Sequence, residues 1–143
     1  MAGEIIASQL GTASVTAAKL NNDIGWHGPV EVSVGAAHAS QVSVAIKMVN
    51  QVLGDFESVT AFRWWLSSDN TTGAIHGTAP SVDTTFTTGL AISEDVAGLA
   101  GNAITDASGD AVMLVDHAAD AQDYYLWVFA GGLALTTAKI EIT

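Results

Sequence analysis

Gln41-Val-Ser-Val-Ala-Ile-Lys-Met-Val-Asn50 decides the fold class. Val42, Val44, Ile46 and Met48 fall on one side of an extended chain, and Ser43, Ala45 and Lys47 on the other. Side chains that alternate with period two mark a strand with one buried face. Working outward, Val30-Glu-Val-Ser-Val-Gly35 alternates in the same way, and Gly54-Asp55 marks a turn. Ser58-Val-Thr-Ala-Phe-Arg-Trp-Trp-Leu-Ser67 follows, rich in aromatic residues that suit a pleated surface. Val59, Ala61, Arg63 and Trp65 share one face, and Thr60, Phe62, Trp64 and Leu66 the other. Since both faces carry a tryptophan, one is expected under a loop or at a subunit contact.

Further along, Ser67 to Gly73 is turn-rich, and residues 74–88 read as a Thr-, Ser- and Gly-heavy connection with Pro80. Phe86 and Gly89-Leu-Ala-Ile-Ser93 read as short strands, Asp95 to Gly101 as a loop, and Ala103 to Thr105 as a lead into the turn Asp106-Ala-Ser-Gly-Asp110. Ala111-Val-Met-Leu-Val-Asp116 is a strand and Ala118 to Asp123 a loop. In Tyr124-Tyr-Leu-Trp-Val-Phe129, Tyr124, Leu126 and Val128 oppose Tyr125, Trp127 and Phe129. Gly131-Gly132 is a hairpin signal, and Leu133 to Thr143 closes the chain with Ile140 and Ile142 in alternation. Seven or eight strands without a long helix predict an all-β antiparallel sandwich, immunoglobulin-like or jelly-roll-like, with a closed barrel as the rival.

Residues 1–24 read as an extended arm and 25–143 as the sandwich body. In the arm, Ile5, Ile6, Leu10, Val15 and Leu20 are spaced roughly five apart, which matches neither strand nor helix periodicity. So few aliphatics cannot make a core of their own, and they are expected to bury themselves on a neighbouring subunit. The Met1-Ala-Gly-Glu4 start lacks the basic segment of a secretory signal, so the chain is expected to be made in a cytoplasm and to stay there, or to leave by a route not written in its first residues.

Composition narrows the function. The 143 residues are 49% apolar and only 13% charged, against roughly 25% charged in soluble domains. Mean hydropathy is +0.36, yet no apolar run approaches the ~20 residues of a spanning helix. Fifteen acids against four bases give a net charge of -11 and argue against nucleic-acid or anionic-membrane partners. Without cysteine there are no disulfides, thiolate metal sites or cysteine nucleophiles.

Chemical motifs are sparse. His27, His38, His76 and His117 show no metal-ligand spacing and read as four unrelated loop histidines. There is no Gly-x-Ser-x-Gly elbow, and Gly98-Leu-Ala-Gly101 lacks the lysine of a phosphate loop. The acidic pairs Glu94-Asp95 and Asp120/Asp123 read as solvated loops. Asp106-Ala-Ser-Gly-Asp110 alternates oxygens as calcium loops do, but a tight turn accounts for it without metal. No cofactor and no catalytic residue is expected. Trp64, Trp65, Tyr124, Tyr125 and Trp127 suit either packing or a carbohydrate platform, packing being favoured, with Trp64, Trp65 and Trp127 the interface candidates.

The arm Ile5-Ile-Ala-Ser-Gln-Leu-Gly-Thr-Ala-Ser-Val-Thr-Ala-Ala-Lys-Leu20 resembles the I-x-x-x-Q-L-x-x-x-x-V-T-x-A-K-L segments of tailed-bacteriophage structural proteins. The body resembles a small β domain of phage structural genes, through Trp65-Leu-Ser-Ser-Asp69, Gly89-Leu-Ala-Ile92, Ile104-Thr-Asp-Ala-Ser-Gly109, and Tyr124-Tyr-Leu-Trp-Val128 followed by Gly131-Gly132. The resemblance implies a non-enzymatic virion protein, foremost in capsid decoration or stabilisation. It would be a homotrimer bound to the major capsid protein or another virion protein, and assembled in the host cytoplasm. The alternatives are a tail fibre or appendage contacting host glycans, and a bacterial carbohydrate-binding or adhesion module.

Overall fold

The structure, a computed structural model, describes residues 30–38, 40–49, 56–80, 83–117, 122–130 and 133–143. The arm residues Ile5, Ile6, Leu10, Val15 and Leu20, together with His27, Asp120 and the turns at 54–55 and 131–132, lie outside them. The described residues form nine strands: β1 (Val30–Val34), β2 (Gln41–Met48), β3 (Ala61–Ser67), β4 (Asp83–Thr88), β5 (Leu90–Val96), β6 (Ala100–Ile104), β7 (Asp110–Asp116), β8 (Gln122–Ala130) and β9 (Leu133–Ile142). They make two antiparallel sheets, ordered β1-β2-β7-β4 and β5-β6-β3-β8-β9, that pack as a β-sandwich.

Period-two alternation places the core. Val42, Val44, Ile46 and Met48 of β2 and Ala111, Met113 and Val115 of β7 line one inner face. Phe62, Trp64 and Leu66 of β3, Tyr124, Leu126 and Val128 of β8, and Ile140 and Ile142 of β9 line the other. Register holds the pattern across strands, with Val44 opposite Met113 and Trp64 opposite Val128. A slip of one residue would turn every one of these side chains to solvent. Ala130, at the end of β8, stands opposite Leu133, at the start of β9.

Two expectations are corrected. Residues 83–88, expected within a connection with a short strand at Phe86, form the full strand β4, whose backbone pairs with β7. Its composition conceals it: the inward positions are Thr84, whose hydroxyl donates to the Gly98 carbonyl at 2.8 Å, and Phe86, packed edge-on against Phe62 and Trp64. Residues 95–101, expected as a loop, hold the end of β5, a tight turn and the start of β6. Gly98 takes φ +65° in that turn, and Glu94 accepts its N–H at 3.2 Å. Gly101 is needed where β5 crowds β6, because a Cβ there would collide with the Ser93 carbonyl.

The lateral edges are protected within the chain. β5 carries bulges between Ala91 and Ser93 and between Glu94 and Val96, and β4 one between Phe86 and Thr88. Bulges twist an edge away from further pairing. On the opposite side a bridge joins His38 to Ile142, and the His38 carbonyl accepts the Thr143 N–H.

Candidate binding face

The outward surface of the five-stranded sheet carries the densest aromatic chemistry among the described residues. Arg63 and Trp65 of β3 stand directly opposite Phe129 and Trp127 of β8. The Trp65 and Trp127 rings stack with centroids 5.7 Å apart and planes 10° off parallel. The segment Ser68–Ile75 folds over them. Trp65 Nε1–H donates to the Gly73 carbonyl at 2.8 Å, and Trp127 Nε1–H donates to the Asp69 carbonyl at 3.2 Å. Gly73 has φ +64°, and its Cα lies so near the Trp127 ring that an added Cβ would touch it at 3.4 Å.

Asp69 organises this covering loop. Its carboxylate accepts the N–H groups of Thr71 and Thr72 at 2.7 and 2.6 Å and their hydroxyls at 2.9 and 2.7 Å. These donors, Thr72 foremost, hold the carboxyl well below the usual aspartate range. Between loop and strands lies a groove of about 310 Å³ lined by Arg63, Trp65, Gly73, Ile75 and Phe129. Its one charged lining residue is Arg63, which is ion-paired with Asp95 of β5 at 3.1 Å.

Trp65 and Trp127 thus lie on the outer face, half-buried, with Trp65 under a loop. Trp64, expected as an interface candidate, is in the core at 1% exposure and has no face to offer a partner. Tyr124 is likewise interior, while Tyr125 is half-buried on the outer face.

A larger groove of about 640 Å³ crosses the outer face of the four-stranded sheet, beside Glu31, Lys47, Asp106 and Asp110. Lys47 pairs with Asp110 at 3.2 Å. The Asp106 carboxylate closes its own turn, accepting the N–H groups of Ser108 and Asp110 at 2.8 and 3.0 Å. Among the described residues no three His, Asp or Glu side chains gather as a metal site would require. The acidic pair Glu94-Asp95, expected in a loop, belongs to β5, and Asp123 to the start of β8, where it pairs with Lys139.

The histidines are not all unrelated. His76 and His117 approach the ring of Tyr124, with centroids 4.8 and 6.1 Å away. His76 Nε2 also lies 3.0 Å from Gln122 Nε2. Their separation of 41 positions gives no sequence signal; the sheets bring them together. The Tyr124 hydroxyl is buried with no hydrogen-bond partner among the described residues, and burial pushes its pKa up to about 12. It stays protonated at any physiological pH.

The exposed large apolar residues complete the surface. Leu90 and Ile92 on β5 are 60% and 58% exposed, and Val96 is 40% exposed. No protein-family model matches this chain, and no curated protein is significantly similar to it in sequence.

Proposed function

We propose that this protein is a non-enzymatic structural component of a tailed-bacteriophage particle, a capsid-decorating subunit that associates as a trimer. The observation that carries the reading is the apolar surface of β5. A strand presenting Leu90, Ile92 and Val96 to solvent, on a chain with so little charge, is the kind of patch that marks a protein contact. Six of the described acids are engaged within the fold, which supports the non-enzymatic part. Asp69, Asp106 and Glu94 are occupied in turns, and Asp95, Asp110 and Asp123 in ion pairs.

The strand order suits an immunoglobulin-like reading. A variable-type domain numbered along the chain would read 1-2-7-6 and 5-4-3-8-9. Here the sheets read 1-2-7-4 and 5-6-3-8-9, the same arrangement with the fourth and sixth strands exchanged. In this reading residues 1–24 are the anchor, and Ile5, Ile6, Leu10, Val15 and Leu20 bury apolar area on a neighbour. Each contributes roughly 1.5–3 kcal/mol before ordering costs. Three copies would multiply the effect through avidity.

Two measurements test this. Light scattering of the purified chain is expected to give the mass of three copies; a single-chain mass would refute the trimer. Gold-labelled antibody is expected on the heads of particles from phage stocks carrying the gene. Label on tails alone would move the protein to an appendage, and no label on any particle would refute the reading.

A further inference from the structure

The groove on the outer face of the five-stranded sheet has two kinds of wall. Phe129 and Ile75, 44% and 43% exposed, are apolar, and Trp65 forms the floor beside them. The polar wall is Arg63, whose guanidinium lies 3.1 Å from the carboxylate of neighbouring Asp95, with the two side chains 51% and 37% exposed. A pyranose ring has the matching halves. Its C–H face packs on an aromatic ring, whose negative face attracts the weakly positive hydrogens. Its edge carries adjacent hydroxyls that both donate and accept, and a guanidinium beside a carboxylate answers both roles.

We propose that this groove binds a neutral pyranose unit of an oligosaccharide. The groove stands near the lower end of the roughly 300–1,000 Å³ range of small-ligand sites, so one or two sugar rings would fill it. Neutrality follows from charge. Asp95 already balances Arg63, and the chain's net charge of -11 repels anionic sugars. The indole N–H groups of Trp65 and Trp127 are occupied by the Gly73 and Asp69 carbonyls, so the indoles fix the covering loop and Arg63 and Asp95 meet the hydroxyls. The clamped loop and stacked indoles hold the groove in shape before any ligand arrives, which lowers the ordering cost of a shallow site. This assignment stands apart from any placement on a particle.

The full-length protein is titrated with maltoheptaose, cellohexaose, xylohexaose, mannohexaose and N-acetylchitohexaose, and with polygalacturonate as the anionic arm, following tryptophan fluorescence. At least one neutral oligosaccharide is expected to give a saturable change in the millimolar range, and polygalacturonate none. Phe129→Ala and Arg63→Gln should each weaken binding about tenfold, which corresponds to about 1.4 kcal/mol, while circular dichroism and the thermal midpoint verify that each variant is folded. Ile92→Ser, on the edge strand, should bind as the parent does. Failure of all five neutral sugars, binding of polygalacturonate alone, or binding indifferent to both groove substitutions would overturn the proposal. So would a change in oligomeric mass on Phe129→Ala, since the groove would then be a contact between copies.

Discussion

Replacing Tyr124 by Phe should stabilise this protein. Tyr124 is fully buried in β8, with the imidazoles of His76 and His117 against its ring, and its hydroxyl has no hydrogen-bond partner among the described residues. A buried hydroxyl in that state costs about 1–3 kcal/mol of desolvation, which no group among the described residues returns. Phenylalanine keeps the ring and its contacts and leaves a void only an oxygen wide. The net gain is therefore about 1–2 kcal/mol, or a rise in thermal midpoint of about 2–8 °C for a chain of this length. The pH dependence adds a second reading. The folded phenol titrates at about 12, above the ordinary value of 10.0, because burial disfavours the phenolate. A raised folded value gives stability that is fully present below pH 10 and is lost as pH climbs toward 12. The variant lacks this group, so its advantage should widen across that alkaline window. Urea unfolding of both proteins at pH 7 and at steps above pH 10 checks both parts. A loss of stability at pH 7 would refute the argument, because it would mean that the hydroxyl has a partner in the folded protein.

Leu126→Ala, at a fully buried site between the sheets, should cost about 2–5 kcal/mol in urea unfolding. Gly109→Ala should cost about 1–3 kcal/mol or more, since Gly109 holds φ +76° and a Cβ would press on the Phe56 carbonyl; an unchanged midpoint would contradict that geometry. Asp69→Ala should release the loop over Trp65 and Trp127 and shift tryptophan emission to the red. The parent should show the same shift in acid, because a carboxyl held below its ordinary value of 3.8 gives stability present above that value and lost as pH falls beneath it. Leu90→Ser with Ile92→Ser should change unfolding little, both side chains being more than half exposed, yet reduce the self-associated mass.

The legible parts of the fold are those where hydrophobicity alternates strongly. β2, β3, β7 and β8 each bury large aliphatic or aromatic side chains at every second position, and the face assignments in β3 and β8 match the structure. Only Phe86 marks β4 in the sequence, because its other inner position is Thr84, and a buried threonine bonded to a carbonyl carries no hydrophobic signal. β5 and β6 were shortened because every residue of β5 is exposed and β6 is built from Ala, Gly and Asn around one isoleucine. The groove was half legible. The expectation that one tryptophan lies under a loop fits Trp65, but the pairing of Trp65 with Trp127 and of Arg63 with Asp95 depends on register between distant strands. The approach of His76 and His117 to Tyr124 depends on packing in the same way.

Edge protection also constrains how copies of this chain can meet. A weakly charged β protein would be expected to solve its edge problem by pairing strands between subunits. β5 is poorly suited to that, since two bulges in its pairing with β6 distort the strand, and Glu94 and Asp95 interrupt its apolar run. Two such edges laid antiparallel would also bring their carboxylates together. Contact through the side chains of Leu90, Ile92 and Val96 has neither obstacle, because it needs only an apolar surface opposite. A trimer assembled this way buries side chains around an axis and leaves the main-chain edges as they are. It also leaves Phe129 and Ile75, which belong to β8 and the covering loop, open on the same outer face. The two surfaces meet at Asp95, which lies on β5 beside Val96 and pairs with Arg63 at the groove, so substitutions at Leu90 and Ile92, at the other end of the strand, are the ones expected to leave the groove intact.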